Sequence, residues 1–302
     1  MQLIVVVWSL DVVIDGWEAR VPRKEPTARQ ERLGRELRRL REAAGLRARE
    51  AGQLLGVVSV TMSQIESGVT GVSEARVRRM AAQYACADAE LVDALVGMAT
   101  DRTRGWWEEY RDVLPPGFLD LAELEHHARY LQVISTAHVP GVLQTEEYAR
   151  AVFAYMVPEL PVSELEPRVA HRMRRRVVVE RDDAVPYEAV VHEGVLRTRV
   201  ADRSTARAQL DEILRQSERP NVTVRVVPFD VDGFAGANAS MLYAGGPAPQ
   251  LDTAKRDAPH GGPFLDAASQ LARFRTLFRK VESVSLDAAR SRDFIHRLAK
   301  EL

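Results

Sequence analysis

The stretch "LLGVVSVTMSQIESG", Leu54 to Gly68, decides the fold. Gly56 permits a tight turn, because a residue without Cβ enters the left-handed region at little steric cost. Ahead of it, Ala48 to Leu55 reads as a short helix with Ala51, Leu54 and Leu55 directed inward. Val57 and Val58 make the turn. Ser59 to Ser67 then reads as a second short helix. Met62 and Ile65, three apart, share its inner face. Ser59, Val60, Thr61, Ser63 and Gln64 are left for the outer faces, and Gly68 ends the helix. Val58 stands where a serine or threonine usually caps, with Ser59 able to cap one residue later.

Working outward, "RQERLGRELRRLREAAGL" carries Leu33, Leu37, Leu40 and Ala44, one apolar stripe at helical spacing, and Gly45 closes it. Its arginines, including Arg35, Arg38, Arg39 and Arg41, cover the other faces. "VSEARVRRMAAQYA" predicts a fourth helix. Ser73 is its N-cap, Glu74 suits the positive end of the dipole, and Val77, Met80, Ala81 and Tyr84 form the stripe. Asp88 caps a fifth, with Leu91, Leu95 and Met98 inward. The lone cysteine, Cys86, rules out an intramolecular disulfide, fits a reducing cytoplasm, and reads as a small buried residue on a helix.

Charge singles out the same region. The net charge of the 302 residues is −1, yet Arg20 to Met80 holds 14 basic against 7 acidic residues. Residues 1–19 sum to −3 and 81–302 to −5. A basic module joined to a larger, mildly acidic one points to a polyanionic partner for the first and a separate task for the second. A solvated, charge-laced helix surface would give the same count. With 46% hydrophobic and 28% charged residues, both modules can bury a core.

Residues 30–98 resemble the Xre/Cro-type helix-turn-helix domain of phage and bacterial repressors. That pattern runs Leu-Gly-Val-Ser and then Ile-Ser-Arg-Ile-Glu-Asn-Gly. Here Leu46, Glu50, Leu55-Gly56-Val57 and Thr61-Met62-Ser63-Gln64-Ile65-Glu66-Ser67-Gly68 match it without gaps. The resemblance implies double-stranded DNA as partner, with the third helix in the major groove, where each base pair shows a distinguishable pattern. By carry-over Ser59, Val60, Thr61, Ser63 and Gln64 are the base-reading candidates. Gln64 suits an adenine edge and Val60 a thymine methyl. Arg38, Arg47 and Arg49 are the phosphate candidates. The chain departs from the pattern at Arg47-Ala48-Arg49, where the family carries Thr-Gln-Glu, and at Val58.

"LIVVVWSLDVVI", Leu3 to Ile14, is too short for a membrane span and is interrupted by Asp11; no basic residue precedes the run. It reads either as a strand or apolar strap, or as sequence upstream of a start at Val21. No function is placed on residues 1–20.

Beyond residue 100, Trp-Trp-x-x-Tyr (Trp106 to Tyr110), Leu-Pro-Pro-x-Phe (Leu114 to Phe118), Val139-Pro140-Gly141-x-Leu143-Gln144-Thr145-x-x-Tyr148-Ala149-Arg150 and "PNVTVRVVPF" appear in order. A helix is predicted around Leu121 to Tyr130, followed by an apolar stretch to Gly141. Thr145 caps another, with Glu146 and Glu147 in its first turn. Tyr187–Arg197 and Asn221–Phe229 alternate at period two and read as strands. "ASMLYAGG" is a third strand candidate. "STARAQLDEILRQSE" between the first two strands is an amphipathic helix, giving β-α-β order. "SQLARFRTLFRKVES" is another, and it and the last helix either pack on the sheet or form a dimer seam. These segments resemble the conserved C-terminal domain of unknown function that follows an Xre-type module in many actinobacterial regulators. That family is often antitoxin-like and paired with a small protein.

Catalysis finds little support in the motifs. There is no HExxH, no cysteine pair, no Gly-x-Ser-x-Gly and no phosphate-binding loop. His126 and His127 project about 100° apart on a helix, and His192 and Glu193 lie on opposite faces of a strand. No metal, cofactor or catalytic residue is expected. Trp106, Trp107 and Tyr110 are either an interdomain core or the wall of an effector or partner pocket. His138 and Gln144 are the polar groups to test with them.

The reading is a multi-domain chain: an extension over 1–26, an all-α five-helix helix-turn-helix domain over 27–100, and a mixed α/β domain with a β-α-β unit over 101–302. The function expected is a cytoplasmic, homodimeric, sequence-specific transcriptional regulator, not an enzyme and not membrane-bound. Its C-terminal domain would receive a small molecule or partner protein. Two alternatives stay open: an antitoxin-like partner binder with autoregulatory DNA binding, and a regulator-derived enzyme or scaffold that has lost DNA.

Overall fold

The computed structural model describes residues 25–101, 103–237, 239–257 and 262–302; the apolar run Leu3–Ile14 lies outside them. The N-terminal unit is all-α: α1 (Ala28–Ala43), α2 (Ala48–Leu55), α3 (Ser59–Glu66), α4 (Glu74–Gln83) and α5 (Ala89–Thr100). A capping box starts α1. The Thr27 hydroxyl accepts from Gln30 N (3.3 Å) and the Gln30 amide oxygen accepts from Thr27 N (3.0 Å). Ser73 and Asp88 cap α4 and α5. Leu37, Ala51, Met62, Val77, Met80 and Leu95 are fully buried at the centre.

Three inward expectations shift. Leu54 is 43% exposed, because in so short a helix Ala51 and Leu55, four apart, take the inner face. Ala44 lies past the end of α1 and is exposed. Cys86 sits half-buried in the turn after α4 rather than on a helix; Ala85 takes a left-handed conformation (φ 53°) and Cys86 N bonds back to Ala81 O.

The second unit opens with a 3-10 turn (Trp106–Tyr110) and continues as α6 (Pro116–His127), β1 (Tyr130–Ser135), α7 (Glu146–Ala154), α8 (Val162–Arg174), α9 (Val177–Glu180), β2 (Tyr187–His192), α10 (Glu193–Arg197), α11 (Arg203–Gln216), β3 (Val222–Val227), β4 (Met241–Gly245), β5 (Thr253–Arg256), β6 (Phe264–Leu265), α12 (Ala268–Ser283) and α13 (Ala288–Glu301). The six strands form one mixed sheet in the order β3-β2-β1-β4-β5-β6. Within it β1, β2 and β3 run parallel and β4 to β6 antiparallel. The β-α-β unit is β2-α11-β3.

Alternation sorts the side chains to two faces. Leu131, Val133, Ala189, Val191, Val224 and Val226 bury one face under α7, α11 and α13. Ile134, Val190, Tyr243 and Ala254 bury the other under α12, through Leu271, Phe274, Phe278 and Val281. The apolar stripes of both C-terminal helices are therefore spent on the sheet rather than left as a seam.

Some predicted bounds move. Pro116 sits at the first turn of α6, the helix stops at His127, and Tyr130 opens the central strand β1. β2 stops at His192, whose Nδ1 accepts from Gly194 N (3.2 Å). Glu193 is thus on a helix, buried, accepting from Phe229 N (2.8 Å) and Arg197.

The two units are docked through α1. Asp266 lies under three of its arginines: Arg35 Nε (2.8 Å), Arg39 (2.7 Å) and Arg32 Nε (3.7 Å). Burial pushes the Asp266 carboxyl up, but these three guanidinium groups hold it below its ordinary value. Asp120 accepts from Ala28 N (3.0 Å), Gln250 donates to Asp88 (2.8 Å), and Ala248 and Leu251 join the helical core.

Candidate nucleic-acid interface

The outer face of α3 is presented by the way the helix is pinned. Met62 and Ile65 are buried, and Glu66 reaches down to Arg41 on α1. That pair is bidentate, with Arg41 Nε to Oε1 at 2.6 Å and Arg41 NH2 to Oε2 at 3.0 Å. Both side chains are only 7% exposed, so Arg41 belongs to the interior and not to a solvated face. Gly34 lets α1 and α3 approach, since a Cβ there would lie 2.6 Å from Glu66 O. Gly56 ends α2 at φ 69°.

On the opposite side of α3, Ser59, Ser63 and Val60 are exposed, Val60 to 64%. Thr61 and Gln64 are half-buried. The Ser63 hydroxyl donates to Ser59 O (3.1 Å), and the Thr70 hydroxyl donates to the Gln64 amide oxygen (3.4 Å), which directs the Gln64 amide nitrogen away from Thr70. Val58 precedes α3 without a side-chain cap, and Ser59 is the first helical residue rather than its cap. Among the described residues the first N–H groups of α3 therefore have no side-chain acceptor.

Of the phosphate candidates, Arg47 and Arg49 are exposed, and among the described residues neither has a carboxylate within ion-pair distance. Arg47 opens α2; its backbone N–H donates to Glu50 (2.6 Å), while its side chain has no acceptor to complete a capping box. Arg38 is paired with Glu42 one turn on (2.7 Å), an exposed contact worth little in water. The charge surplus read from sequence is thus divided: Arg32, Arg35 and Arg39 face Asp266, Arg41 faces Glu66, and the α2 end keeps Arg47 and Arg49.

Of the other candidate residues, Trp106, Tyr110 and Gln144 meet α8, while Trp107 packs on α6 and His138 stands apart. His171 is 1% exposed, and Trp106, Tyr110 and Phe118 surround it with ring centroids 5.0, 5.1 and 5.7 Å away. Trp107 is buried in a small cluster with Leu114, Leu119 and Ala122. Gln144 is buried, donating to Val139 O (2.7 Å) and accepting from Arg172 (2.8 Å). His138 is exposed. His126 contacts Arg181 and His127 contacts Asp101. Among the described residues no group of three or more metal-ligating side chains occurs, and no helix is long and apolar enough to cross a membrane.

Burial, with Arg175, Arg172 and Arg174 nearby, holds His171 down to about 3. Burial, with Arg29 and His126, holds His127 down to about 4. An unfolded histidine titrates near ~6.5, so the unfolded chain binds more protons below that pH. Stability is then complete above pH ~6.5 and falls as pH drops toward about 3. His171→Phe is expected to flatten this acid slope, measured as urea midpoints between pH 7 and 4.

Two family profiles match the chain. A helix-turn-helix domain covers residues 32–95. A domain of unknown function, DUF5753, covers residues 118–297, more than half of the chain. The chain belongs to the DUF5753 family. No curated protein and no solved structure matches it. The DUF5753 match begins inside α6 at Phe118, ends inside α13 at Arg297 and spans all six strands, so in this chain the family unit is the mixed sheet with its helices. The helix-turn-helix match starts at Arg32 and spans α2 to α4 whole, the elements that present the outer face of α3. A helix-turn-helix domain ahead of the DUF5753 unit suggests, in coarse class, a DNA-binding regulator.

Sequence reading missed the Arg41–Glu66 pair and the Asp266 contact. The first had a signal, since Glu66 lies on the inner side of α3 beside Ile65. The second joins residues more than two hundred apart and had none.

Proposed function

We propose that this chain is a transcriptional regulator of the Xre/Cro type that binds a pseudo-palindromic operator as a homodimer, with α3 of each subunit in the major groove. One observation carries the reading. Among the described residues the outer face of α3 is uncovered and is flanked by Arg47 and Arg49 without carboxylate partners, while the DUF5753 unit docks on α1. Gln64, Ser59 and Val60 read bases, Thr61 and Ser63 line the same helix, and Arg47, Arg49 and Arg38 bind phosphates. Half-sites would lie about 34–36 Å apart, one helical turn. The C-terminal unit receives a small molecule or a partner protein and shifts operator affinity.

Gln64→Ala is expected to cost about 1–3 kcal/mol of discrimination at one base position and to leave others unchanged. Arg49→Ala is expected to weaken all sequences alike and to reduce the salt slope by about 1. Anisotropy titrations against a set of single-position operator variants read both. Wild-type behaviour in both variants would mean that this helix face does not meet DNA.

An antitoxin-like reading is favoured by a separate feature. From the end of α7 to the first residue of α8, Tyr155, Val157 and Val162 stand 88%, 87% and 72% exposed, an apolar tip suited to a small partner protein. Co-purification of the product of a neighbouring short reading frame would support it. The uncapped start of α3 favours a regulator-derived scaffold only if DNA binding is absent.

A further inference from the structure

Of the five base-reading candidates on α3, Gln64 alone is held from outside the helix among the described residues. The Ser63 hydroxyl bonds to the backbone of its own helix (3.1 Å), whereas the Gln64 side-chain oxygen accepts from the hydroxyl of Thr70 (3.4 Å), in the loop between α3 and α4. That loop is tied to the Gln64 backbone as well. Thr70 N donates to Gln64 O (3.0 Å), and the Ser67 hydroxyl donates to the same oxygen (3.2 Å). Two anchors fix the loop on the helical unit. Gly68 turns at φ 78° directly on the first turn of α1, where a Cβ would lie 2.7 Å from Gln30 C and Glu31 N. Val72, two residues past Thr70, is 4% exposed in the helical core. Thr70 therefore stands at a set place beside Gln64, and both are half-buried.

We infer that Thr70 is a positioning residue for base reading: its hydroxyl holds the Gln64 amide in the pose that meets a base. A glutamine has three side-chain torsions, and stilling them at an interface costs binding free energy unless they are already still. The amide oxygen carries two lone pairs, so it can accept from a base edge while Thr70 occupies one of them, and both amide N–H donors stay unused. The amide can thus still meet a base through a paired donor and acceptor, from a pose set beforehand. The contact is long for a hydroxyl donor, so its effect falls on the pose of one side chain and not on the stability of the unit. This role rests on the base-reading position of Gln64 proposed above.

The test is selection of a duplex from a random pool by the wild-type full chain, then anisotropy titration of the selected duplex and its single-position variants at one salt concentration. Thr70→Val removes the hydroxyl and keeps the backbone bond to Gln64 O; Thr70→Ser retains the hydroxyl. Thr70→Val is expected to lose about threefold to tenfold of discrimination at the position where Gln64→Ala loses it, with other positions and the urea midpoint unchanged. Thr70→Ser is expected to behave as wild type. In the Gln64→Ala background Thr70→Val should change nothing further, because the two act through one contact. Wild-type discrimination in folded Thr70→Val, an equal loss at every position, or additive losses in the double variant would overturn the inference and leave Gln64 as a base reader. No selected duplex, or none whose discrimination depends on Gln64, would overturn the base-reading role of Gln64 as well.

Discussion

Glu66→Ala is expected to destabilise the helix-turn-helix unit by about 3–5 kcal/mol. The substitution removes both oxygens that Arg41 Nε and NH2 hold at 2.6 and 3.0 Å. What remains near the guanidinium is Leu46 O (2.6 Å) and Glu42 at 3.4 Å. A buried charge without its partner costs far more than the pair contributes, because the desolvation penalty stays while the attraction goes. The loss would be a large share of a domain stability of roughly 5–15 kcal/mol. It falls on α3 directly, since Glu66 is the last residue of that helix and Arg41 stands on α1. Replacing both residues with Leu and Met should recover most of the loss, because no charge is then stranded. Denaturant unfolding of the single variants and the double variant by circular dichroism gives the coupling energy. A single-variant cost under about 1 kcal/mol, the range of exposed pairs, would mean that solvent reaches this site.

Glu125→Ala is expected to do the same in the DUF5753 unit, again by about 3–5 kcal/mol. Arg175 Nε and NH2 contact its two oxygens at 2.8 and 2.5 Å, and the carboxylate is 2% exposed. Burial pulls the Arg175 guanidinium down, and Glu125 more than restores it. The pair ties α6 to the end of α8, the two elements that hold Trp106 and Trp107 in place through His171 and His126. Tryptophan fluorescence should therefore report an earlier urea midpoint, while Glu125→Gln, which keeps an acceptor, should fall between. Identical midpoints for wild type and Glu125→Ala would show that the pair holds nothing.

The helical unit was largely legible in the sequence because its signals are local. Gly56, Ser73 and Asp88 mark ends through chemistry confined to one turn, and Met62 and Ile65 mark a face by spacing. The errors there were also local: eight residues allow a helix only one inner stripe, so Leu54 went outward. The sheet was half legible. β2 and β3 alternate clearly, but β1 buries Leu131, Val133 and Ile134 on both faces, so "YLQVIS" showed no clean alternation, and β5 and β6 are too short to carry a period. The outer face of α3 could be named from sequence, since exposure follows once the inner residues are known. The Asp266 contact and the surroundings of His171 could not, because each joins segments distant in the chain and no local pattern encodes their meeting.

The most direct measurement is binding of the full chain to its own upstream DNA and to a scrambled duplex of equal length, across a salt series. The account predicts a specific-to-scrambled ratio of about 10³–10⁷, with both affinities falling as salt rises. Equal, weak and steeply salt-dependent binding to the two duplexes, repeated with other genomic sites, would contradict it: α3 would then have the shape of a recognition helix without reading sequence.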